Sequence, residues 1–291
     1  MIPRVAFFLQ SLATLIPVIS ALDVPENAKD FYDHVRGKGK CGHVLKGGFN
    51  SMDGDSGDFG YCGDYLEKYN IIYVQGKSGQ LTNMDIDCDG AQSSGDGRCA
   101  SSTDTQSQTS FKSRLSSWGY GDLNSYIHPY VVFGNEGSKP NWPNFDPKEH
   151  GIEPLSVMAI VCNNQLVNPI VLTMSQFYGI WGDTNGDDGD QPMVGEASIA
   201  LATSCFGNGV NGNQGHDDND VLYIAFTGQD AAPGANGANW SASTAAEFSS
   251  SINDLGNKLV ERVGSGSNFK ARANKAVLFS AYLLGLIWII S

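Results

Sequence analysis

The sequence predicts a mainly β protein with one barrel-like domain of about six to eight strands and a few packed helices. Glycine supplies 35 of the 291 residues, which favours many turns. Apolar runs of strand length alternate with segments rich in glycine, asparagine and aspartate. With 41% hydrophobic residues, the chain is long enough to bury the core of one sizeable domain. We expect specifically a six-stranded barrel of the double-psi type.

The apolar periodicity predicts the elements in order. Strands are expected at 71–74, 84–90, 126–133, 155–161, 166–172, 177–182 and 221–227. Helices are expected at 28–35, 196–206 and 244–263. The last helix carries an apolar stripe at helical spacing, formed by Phe248, Ile252, Leu255, Leu259 and Val263. The remaining segments, among them 41–63, 91–117, 135–153 and 207–220, have the composition of loops.

The two ends of the chain have the composition of targeting segments. Residues 1–21 carry Arg4, then a mostly apolar run, then small residues, as in a secretory signal peptide. Residues 22–265 are then the folded domain. Residues 266–291 hold a polar spacer and an apolar tail of 15 residues, shorter than the roughly 20 of a membrane span. This pattern predicts a GPI-attachment signal with Ser265 as the attachment site. A tail anchor or a buried terminal helix is the rival interpretation.

The charge of the chain limits its partners. The formal charge is −13, and removing both terminal segments, which carry four basic and no acidic residues, takes it to −17. Such a surface repels nucleic acid and anionic lipid and attracts polycations. A plain solubility role of the acidic residues is the alternative. The five histidines are scattered without metal-binding spacing, and no phosphate loop or dinucleotide fingerprint occurs. We therefore expect no cofactor and no metal.

Six cysteines lie in the predicted mature region, namely Cys41, Cys62, Cys88, Cys99, Cys162 and Cys205. An even number in a secreted chain predicts disulfides, with 15 pairings if all six pair. The nearest neighbours, Cys88 and Cys99, are one expected pair. A second pair, between Cys162 and Cys205, would tie a strand to the helix predicted at 196–206. One glycosylation sequon begins at Asn239 and predicts exposure there.

The segment after the strand at 177–182 is the strongest candidate site. Asp183 directly follows this strand, and Glu196 comes thirteen residues later at the start of a predicted helix. Alternation along the strand predicts one face shared by Phe177, Trp181 and Asp183. Cofactor-free glycosidic cleavage needs two carboxyl groups of different protonation held across the bond. In the simpler interpretation, Asp183 caps the loop and Glu196 caps the helix.

The strings WGDTNGDDG at 181–189 and VGEASIALATSCFG at 194–207 resemble the fungal chitosanases of glycoside hydrolase family 75. Further similar strings are NMDIDCDG, PYVVFGNEG, PLSVMAIVCN and GHDDNDVLYIAFTG, so the resemblance runs from about Cys41 to Val263. It implies a catalytic pair formed by Asp183 and Glu196, and endo-cleavage of chitosan with inversion. Glu196 as the acid and Asp183 as the base is our preferred assignment. The apolar neighbours of Glu196 would raise its pKa, whereas a helix start would lower it.

Further acidic residues are candidates for substrate binding. Asp85, Asp87 and Asp89 would share one strand face, and the resemblance favours their use toward glucosamine ammonium groups. Their spacing, with Asp96 in the twelfth place, also approximates a calcium loop. The remaining candidates are Trp181, which would stack on a sugar ring, and Asp187 and Asp188, which would hold ammonium groups.

Together these features predict a secreted, monomeric endo-chitosanase whose partner is the polysaccharide chitosan and which contacts a membrane only through a GPI anchor. The alternative is a non-catalytic, acidic, GPI-anchored cell-wall protein that binds polycations or calcium. A third possibility is a hydrolase of another β-glycan, which would cleave neutral glucans.

Overall fold

A computed structural model describes residues 22–264, apart from 53, 94, 104, 165–172 and 188. The predicted signal peptide at 1–21, the attachment site at Ser265 and the tail at 266–291 lie outside the described residues. The strand predicted at 166–172 and the candidate Asp188 lie outside them as well.

Ten strands join into one sheet in the described part of the chain. They are β1 Leu22–Asp23, β2 Val44–Phe49, β3 Phe59–Cys62, β4 Ile71–Gln75, β5 Thr82–Asp87, β6 Tyr130–Asn135, β7 Val157–Asn164, β8 Thr173–Asn185, β9 Glu196–Ser198 and β10 His216–Phe226. The helices are α1 Glu26–Lys38, α2 Leu66–Tyr69, α3 Lys112–Ser117, α4 Ile199–Phe206 and α5 Ala245–Val260.

Six of these strands close into a ring, in the order β8, β6, β9, β5, β10, β7 and back to β8. The β6–β8 and β5–β9 pairs are parallel, and the other four pairs are antiparallel. Closure leaves the ring without an exposed edge. The predicted mainly β domain with a six-stranded barrel is therefore confirmed, while its double-psi character stays a prediction.

The long strand β10 connects the ring to the rest of the sheet. Its first half pairs with β5 and its last residues pair with β4, from which β3 and β2 continue the sheet in antiparallel order. On the far side, β1 pairs with β8 outside the ring. The N-terminal segment thus lies against the same strand that carries Asp183.

Two helices pack on the β7–β8 side of the barrel. Helix α5 buries Phe248, Ile252 and Leu259 there, as its apolar stripe predicts. Gly256 faces the Tyr178 ring, whose hydroxyl hydrogen-bonds to Asn257 Oδ1 at 2.9 Å. Helix α4 begins at the N-cap Ser198, whose side chain accepts from the Leu201 N–H.

All six cysteines are paired. The predicted Cys88–Cys99 and Cys162–Cys205 disulfides are confirmed, and Cys41 pairs with Cys62. The Cys162–Cys205 bridge joins β7 to α4, as expected.

Three features differ from the sequence prediction. The helix predicted at 196–206 begins three residues later, because residues 196–198 add a short strand to the barrel. The glycine-rich segment 41–63 contains β2 and β3, since strand pairing outweighs its weak local preference. Within the predicted loop 91–117, residues 112–117 form α3.

Within the described residues, no helix has both the length and the apolar character needed to cross a membrane.

Candidate active site

Asp183 and Glu196 lie on two strands that flank the same residue of a third. Val132 on β6 is the Cα partner of Asp183 on β8 and of Glu196 on β9. Paired residues on neighbouring strands project to the same face. Neighbouring strands are about 4.8 Å apart, so about 10 Å separates the two backbones. Asp85 on β5 is the next partner, opposite Glu196.

A β-bulge at Gly182 sets the direction of Asp183. Val131 pairs with Trp181 and Val132 pairs with Asp183, so Gly182 is an extra residue on β8. The predicted common face of Trp181 and Asp183 is therefore wrong, because alternation is interrupted between them. A Cβ at Gly182 would lie 2.5 Å from Tyr130 Cβ, so only glycine fits at this bulge.

Gly195 plays a similar role before Glu196. Its φ of +100° lies in the region that favours glycine, and an added Cβ would lie 2.6 Å from Asn83 Oδ1. The Gly195 carbonyl oxygen also accepts from the Asp85 N–H at 2.8 Å. The backbone turn at Gly195 thus brings Glu196 into register with β5.

Asp183 is buried, with 5% of its surface exposed. Its Oδ1 accepts three hydrogen bonds, from the Ser110 N–H, the Ser110 hydroxyl and the Thr184 N–H, at 3.0, 2.5 and 2.8 Å. Its Oδ2 has no hydrogen-bond partner among the described residues. Burial raises the pKa of Asp183 to about 6, against the lowering effect of the three donors. The group is therefore poised to change protonation near neutral pH.

A surface cleft of about 500 Å³ runs beside Glu196. The residues that line it are Met52, Asn83, Asp85, Ile86, Ser102, Thr103, Met193, Glu196, Gly212, Asn213, Gln214, Gly215 and Asp217. They include three carboxyl groups and no lysine, arginine or histidine. The cleft therefore favours a cationic ligand.

A smaller recess of about 30 Å³ also contains Glu196 in its wall and leads to Asp183. Asp87, Asp89 and Gln106 line it as well. Its volume matches about one water molecule. Glu196 thus borders both the wide cleft and the recess, whereas Asp183 borders the recess alone.

The three acidic residues at 85–89 divide between these spaces. Asp85 lines the cleft, while Asp87 and Asp89 line the recess with Asp183. One carboxyl oxygen from each of Asp87, Asp89 and Asp183 lies within 4.8 Å of the others. Burial, then the neighbouring charges of Asp183, Asp89 and Glu196, raise the pKa of Asp87 well above its ordinary value.

Trp181 does not line the cleft, contrary to the expected sugar-stacking role. Its side chain is 1% exposed, and its ring packs edge-on against Phe111 at 4.8 Å between centroids. Its indole N–H donates to the Asp183 carbonyl oxygen at 2.9 Å. No aromatic side chain is among the described residues of the cleft wall. Trp181 instead supports the backbone that carries Asp183.

Asp187 and Asn239 line neither the cleft nor the recess. Asp187 accepts hydrogen bonds from the Ser138 N–H and hydroxyl and from the Lys139 N–H. These donors lower the pKa of Asp187, whose carboxyl organises a surface turn. Asn239, the predicted glycosylation site, is exposed, and its backbone N–H donates to Ser251 Oγ.

The calcium loop suggested by the spacing of Asp85 and Asp96 is not formed. Asp85 lies within β5, and Asp96 instead pairs with Arg98 at 2.7 Å. Among the described residues, His216, Asp218 and Asp220 also offer ligand atoms within 4.8 Å of one another. However, His216 Nε2 and Asp220 Oδ1 already pair at 2.7 Å.

Several residues of the site were missed in the sequence. Ser110 lies in a Ser/Thr/Asp-rich segment that reads as loop, and only the tertiary contact brings it to Asp183. Tyr130 lies in a predicted strand, yet its hydroxyl reaches Asp87 across the sheet. Asp217 follows His216 in an acidic run and lines the cleft. Local sequence patterns contain no signal for such long-range contacts.

Comparison with known proteins identifies the family of the chain. Residues 84–262, which include both carboxyl groups, match the model of the fungal chitosanases of glycosyl hydrolase group 75. The chain belongs to this family.

Curated relatives extend the match beyond the family model. An endo-chitosanase of Aspergillus fumigatus is 48% identical over 248 residues, which cover 84% of this chain and 94% of that relative. An endo-chitosanase B of Aspergillus oryzae is 45% identical over the same length, with the same coverage. The similarity to this glycosyl hydrolase family therefore spans nearly the whole described domain, as the sequence strings predicted.

Proposed function

We propose that the protein is a secreted endo-chitosanase that hydrolyses β-1,4 linkages between glucosamine residues with inversion, using Asp183 and Glu196. Membership of the glycosyl hydrolase group 75 family supports the substrate class. The cleft supports it independently, because its carboxyl groups, unaccompanied by basic side chains in the described wall, suit a polymer that carries ammonium groups.

The placement of Asp183 and Glu196 on either side of Val132 carries the proposed mechanism. Inverting glycosidases separate their two carboxyl groups by about 6.5–9.5 Å to admit a water, whereas retaining enzymes need about 5–5.5 Å. A spacing of two strands, about 10 Å between backbones, suits the wider class. This spacing supports a reaction in which a water lies between the base and the sugar.

The two spaces around the carboxyl groups support the assignment of roles. Asp183 borders a recess that accommodates about one water, and three donors on its Oδ1 favour its ionised form. We therefore assign Asp183 as the general base. Glu196 borders the wide cleft, where we place the glycosidic oxygen, so we assign it as the general acid.

The proposed reaction is a single displacement. Asp183 removes a proton from the water, whose oxygen forms a bond to the anomeric carbon. On the opposite side, the bond from that carbon to the leaving oxygen breaks as Glu196 donates its proton to this oxygen. The products are a new reducing end of inverted configuration and a shortened chain with a free hydroxyl. Afterwards the two carboxyl groups exchange protons with solvent and regain their starting states.

Hydrolysis by the purified domain tests this proposal. Release of reducing ends is measured with chitosan, chitin and a β-glucan, and proton NMR follows the anomer formed first. We expect release from chitosan with the α-anomer appearing first. Asp183→Asn and Glu196→Gln should each lower kcat by about 100- to 10,000-fold. Binding of chitosan without cleavage by the folded protein would instead favour the wall-protein alternative.

Azide separates the two roles. A small anion can occupy the space of a missing base and attack the anomeric carbon directly. We expect azide to restore activity to Asp183→Ala and to produce the glycosyl azide of inverted configuration. Rescue of Glu196→Ala instead, with none for Asp183→Ala, would reverse the assignment.

We also propose secretion and GPI attachment at Ser265, from the composition of residues 1–21 and 266–291. Phosphatidylinositol-specific phospholipase C should release the enzyme from intact cells. Replacing Ser265 by a bulky residue such as Trp should reduce the anchored fraction. Enzyme that stays cell-bound after phospholipase treatment would contradict the anchor.

A further inference from the structure

The carboxyl cluster of Asp87, Asp89 and Asp183 cannot be fully ionised without a large electrostatic cost. One oxygen of each lies within 4.8 Å of the others, and Asp89 and Asp183 are only 8% and 5% exposed. No lysine, arginine or histidine is found in the described wall of the recess. Like charges this close and this buried favour retention of at least one proton.

The donors around Asp183 make it the member that ionises first. Two backbone N–H groups and the Ser110 hydroxyl converge on its Oδ1. Donors of this kind stabilise a carboxylate and are poorly used by a neutral carboxyl group. The retained proton therefore lies on Asp87 or Asp89.

The Tyr130 hydroxyl indicates which carboxyl group of the cluster retains the proton. Its oxygen lies 3.1 Å from Asp87 Oδ1 and 3.1 Å from the Asp89 carbonyl oxygen. Tyr130 is fully buried and has a single hydroxyl hydrogen. The Asp89 carbonyl oxygen can only accept a hydrogen bond. If Tyr130 donates its one hydrogen to that oxygen, the contact between Tyr130 and Asp87 has a hydrogen only when Asp87 is protonated. A proton on Asp87 gives both contacts a hydrogen.

We propose that Asp87 is a positioning residue for the catalytic base: it carries the proton of the cluster and shares it with Tyr130, so that Asp183 is the ionised member. This inference rests on the proposed role of Asp183. It differs from the substrate-binding role expected from the sequence, in which Asp87 would be a carboxylate paired with an ammonium group.

Four titratable groups face Asp87. They are Asp183 from β8, Glu196 from β9, Tyr130 from β6, and Asp89 immediately after β5. The three carboxyl groups disfavour a further negative charge, and the Tyr130 oxygen can accept from a neutral carboxyl. Two donors act in the opposite direction: the Asp89 N–H, 2.6 Å from Asp87 Oδ1, and the Tyr130 hydroxyl whenever it donates to Asp87 instead of to the Asp89 carbonyl oxygen. In support, the pKa of Asp87 is raised by burial and by these carboxyl groups.

Infrared difference spectroscopy of the substrate-free enzyme tests the proposal without reference to turnover. The carbonyl stretching band of a protonated carboxyl group should persist above the pH at which Asp183 ionises. It should be absent from Asp87→Asn and retained in Asp85→Asn, in which a carboxyl of the open cleft is removed. Absence of the band from the wild-type enzyme, or its retention in Asp87→Asn, would overturn the proposal.

Tyr130→Phe tests the direction of the hydrogen bond. If Asp87 donates to Tyr130, removing the acceptor destabilises the neutral carboxyl, and the band should disappear at a lower pH than in the wild type. If Tyr130 instead donates to an ionised Asp87, the same substitution would make the band persist to higher pH, contrary to the proposal. In Asp183→Asn the band should also disappear at lower pH, because a neighbouring negative charge is lost. This variant provides the coupling test if Asp87→Asn does not fold.

Kinetics separate a neutral Asp87 from a charged one. In Asp87→Asn we expect kcat to fall by no more than about tenfold, compared with at least about 100-fold for Asp183→Asn. The acid limb of kcat/KM should keep its position, because no charge next to Asp183 has been removed. A shift of that limb to lower pH by about one unit would mean that Asp87 is ionised in the working enzyme.

A large rise in KM at unchanged kcat would show instead that Asp87 binds substrate. If Asp183 is not the base, the Asp183→Asn variant stays active, which contradicts the proposed function. The infrared results would still show whether Asp87 carries a proton.

Discussion

Asp183, the proposed catalytic base, illustrates the cost of burying a carboxyl group. Its pKa in the folded protein is raised from 3.8 to about 6, mainly by burial. Between these two pH values the folded state binds more protons than the unfolded state, so stability falls as pH rises through this window. Above about pH 6 the full penalty applies, on the order of 3 kcal/mol.

Asp183→Asn should therefore stabilise the fold while it abolishes activity. We expect Tm to rise by several degrees at pH 7, and the gain to be much smaller at pH 4, where the wild-type carboxyl is protonated in the folded state and partly protonated in the unfolded state. Calorimetry at both pH values measures the difference. An equal gain at pH 4 and pH 7 would show that ionisation of Asp183 is not its source.

We expect Ser110 to set the lower end of the working pH range, if Asp183 is the base as proposed. Its hydroxyl donates to the Asp183 carboxylate at 2.5 Å, and this bond lowers the pKa of Asp183. Ser110→Ala should raise that pKa and move the acid limb of kcat/KM upward by about one pH unit. Thr109→Val is the matched control, since the Thr109 hydroxyl bonds to Asp122 instead. A limb that stays in place, or moves equally in both variants, would contradict this account.

At the scale of the element, the bulge in β8 sets the position of the proposed base, Asp183. An added Cβ at Gly182 would lie 2.5 Å from Tyr130 Cβ and 2.7 Å from Leu123 Cδ1, so β8 must shift to accept it. Gly182→Ala should cost about 1–3 kcal/mol of stability. It should also lower kcat by more than about tenfold, because Asp183 moves with the strand.

Gly209→Ala is the control for this substitution, because no atom lies within 4 Å of the Cβ position there. Its stability should stay within about 0.5 kcal/mol of the wild type. Urea denaturation and initial rates are the measurements. A Gly182→Ala enzyme as stable and as active as Gly209→Ala would show that the bulge is not needed to place the base.

The sequence predicts those parts of the fold that depend on local patterns. The apolar stripe of α5 and the buried strand β4 follow directly from residue spacing. The sheet face toward which Asp183 projects cannot be predicted in this way, because the extra residue Gly182 is recognised only when β8 is aligned with its partner strand β6. Strand β9 cannot be predicted from local spacing either, because its three residues form a strand only by pairing with β5 on one side and β6 on the other. The resemblance implies Asp183 and Glu196 as the catalytic pair, but Ser110 and Tyr130 reach the proposed site only through tertiary contacts.

The whole molecule is strongly acidic, with a formal charge of −13. Long-range attraction of a polycation to such a surface is screened by salt, since the Debye length falls from about 30 Å at 0.01 M to about 3 Å at 1 M. We expect kcat/KM for chitosan to fall as salt rises, through KM rather than kcat. Asp217→Asn, which removes one cleft charge, should flatten this dependence. Equal rates across the salt range would show that charge does not assist association.

The two ends of the folded domain meet. The Asn27 side-chain amide, near the start of α1, donates to the carbonyl oxygens of Val260 and Val263 at 2.8 and 2.9 Å, just at the end of α5. A short flexible linker can therefore join these ends, and new termini can be opened at an exposed turn such as the one near Gly209. The barrel is thus suited to circular permutation, and a surface tether fused near either natural end would leave the molecule from the same point.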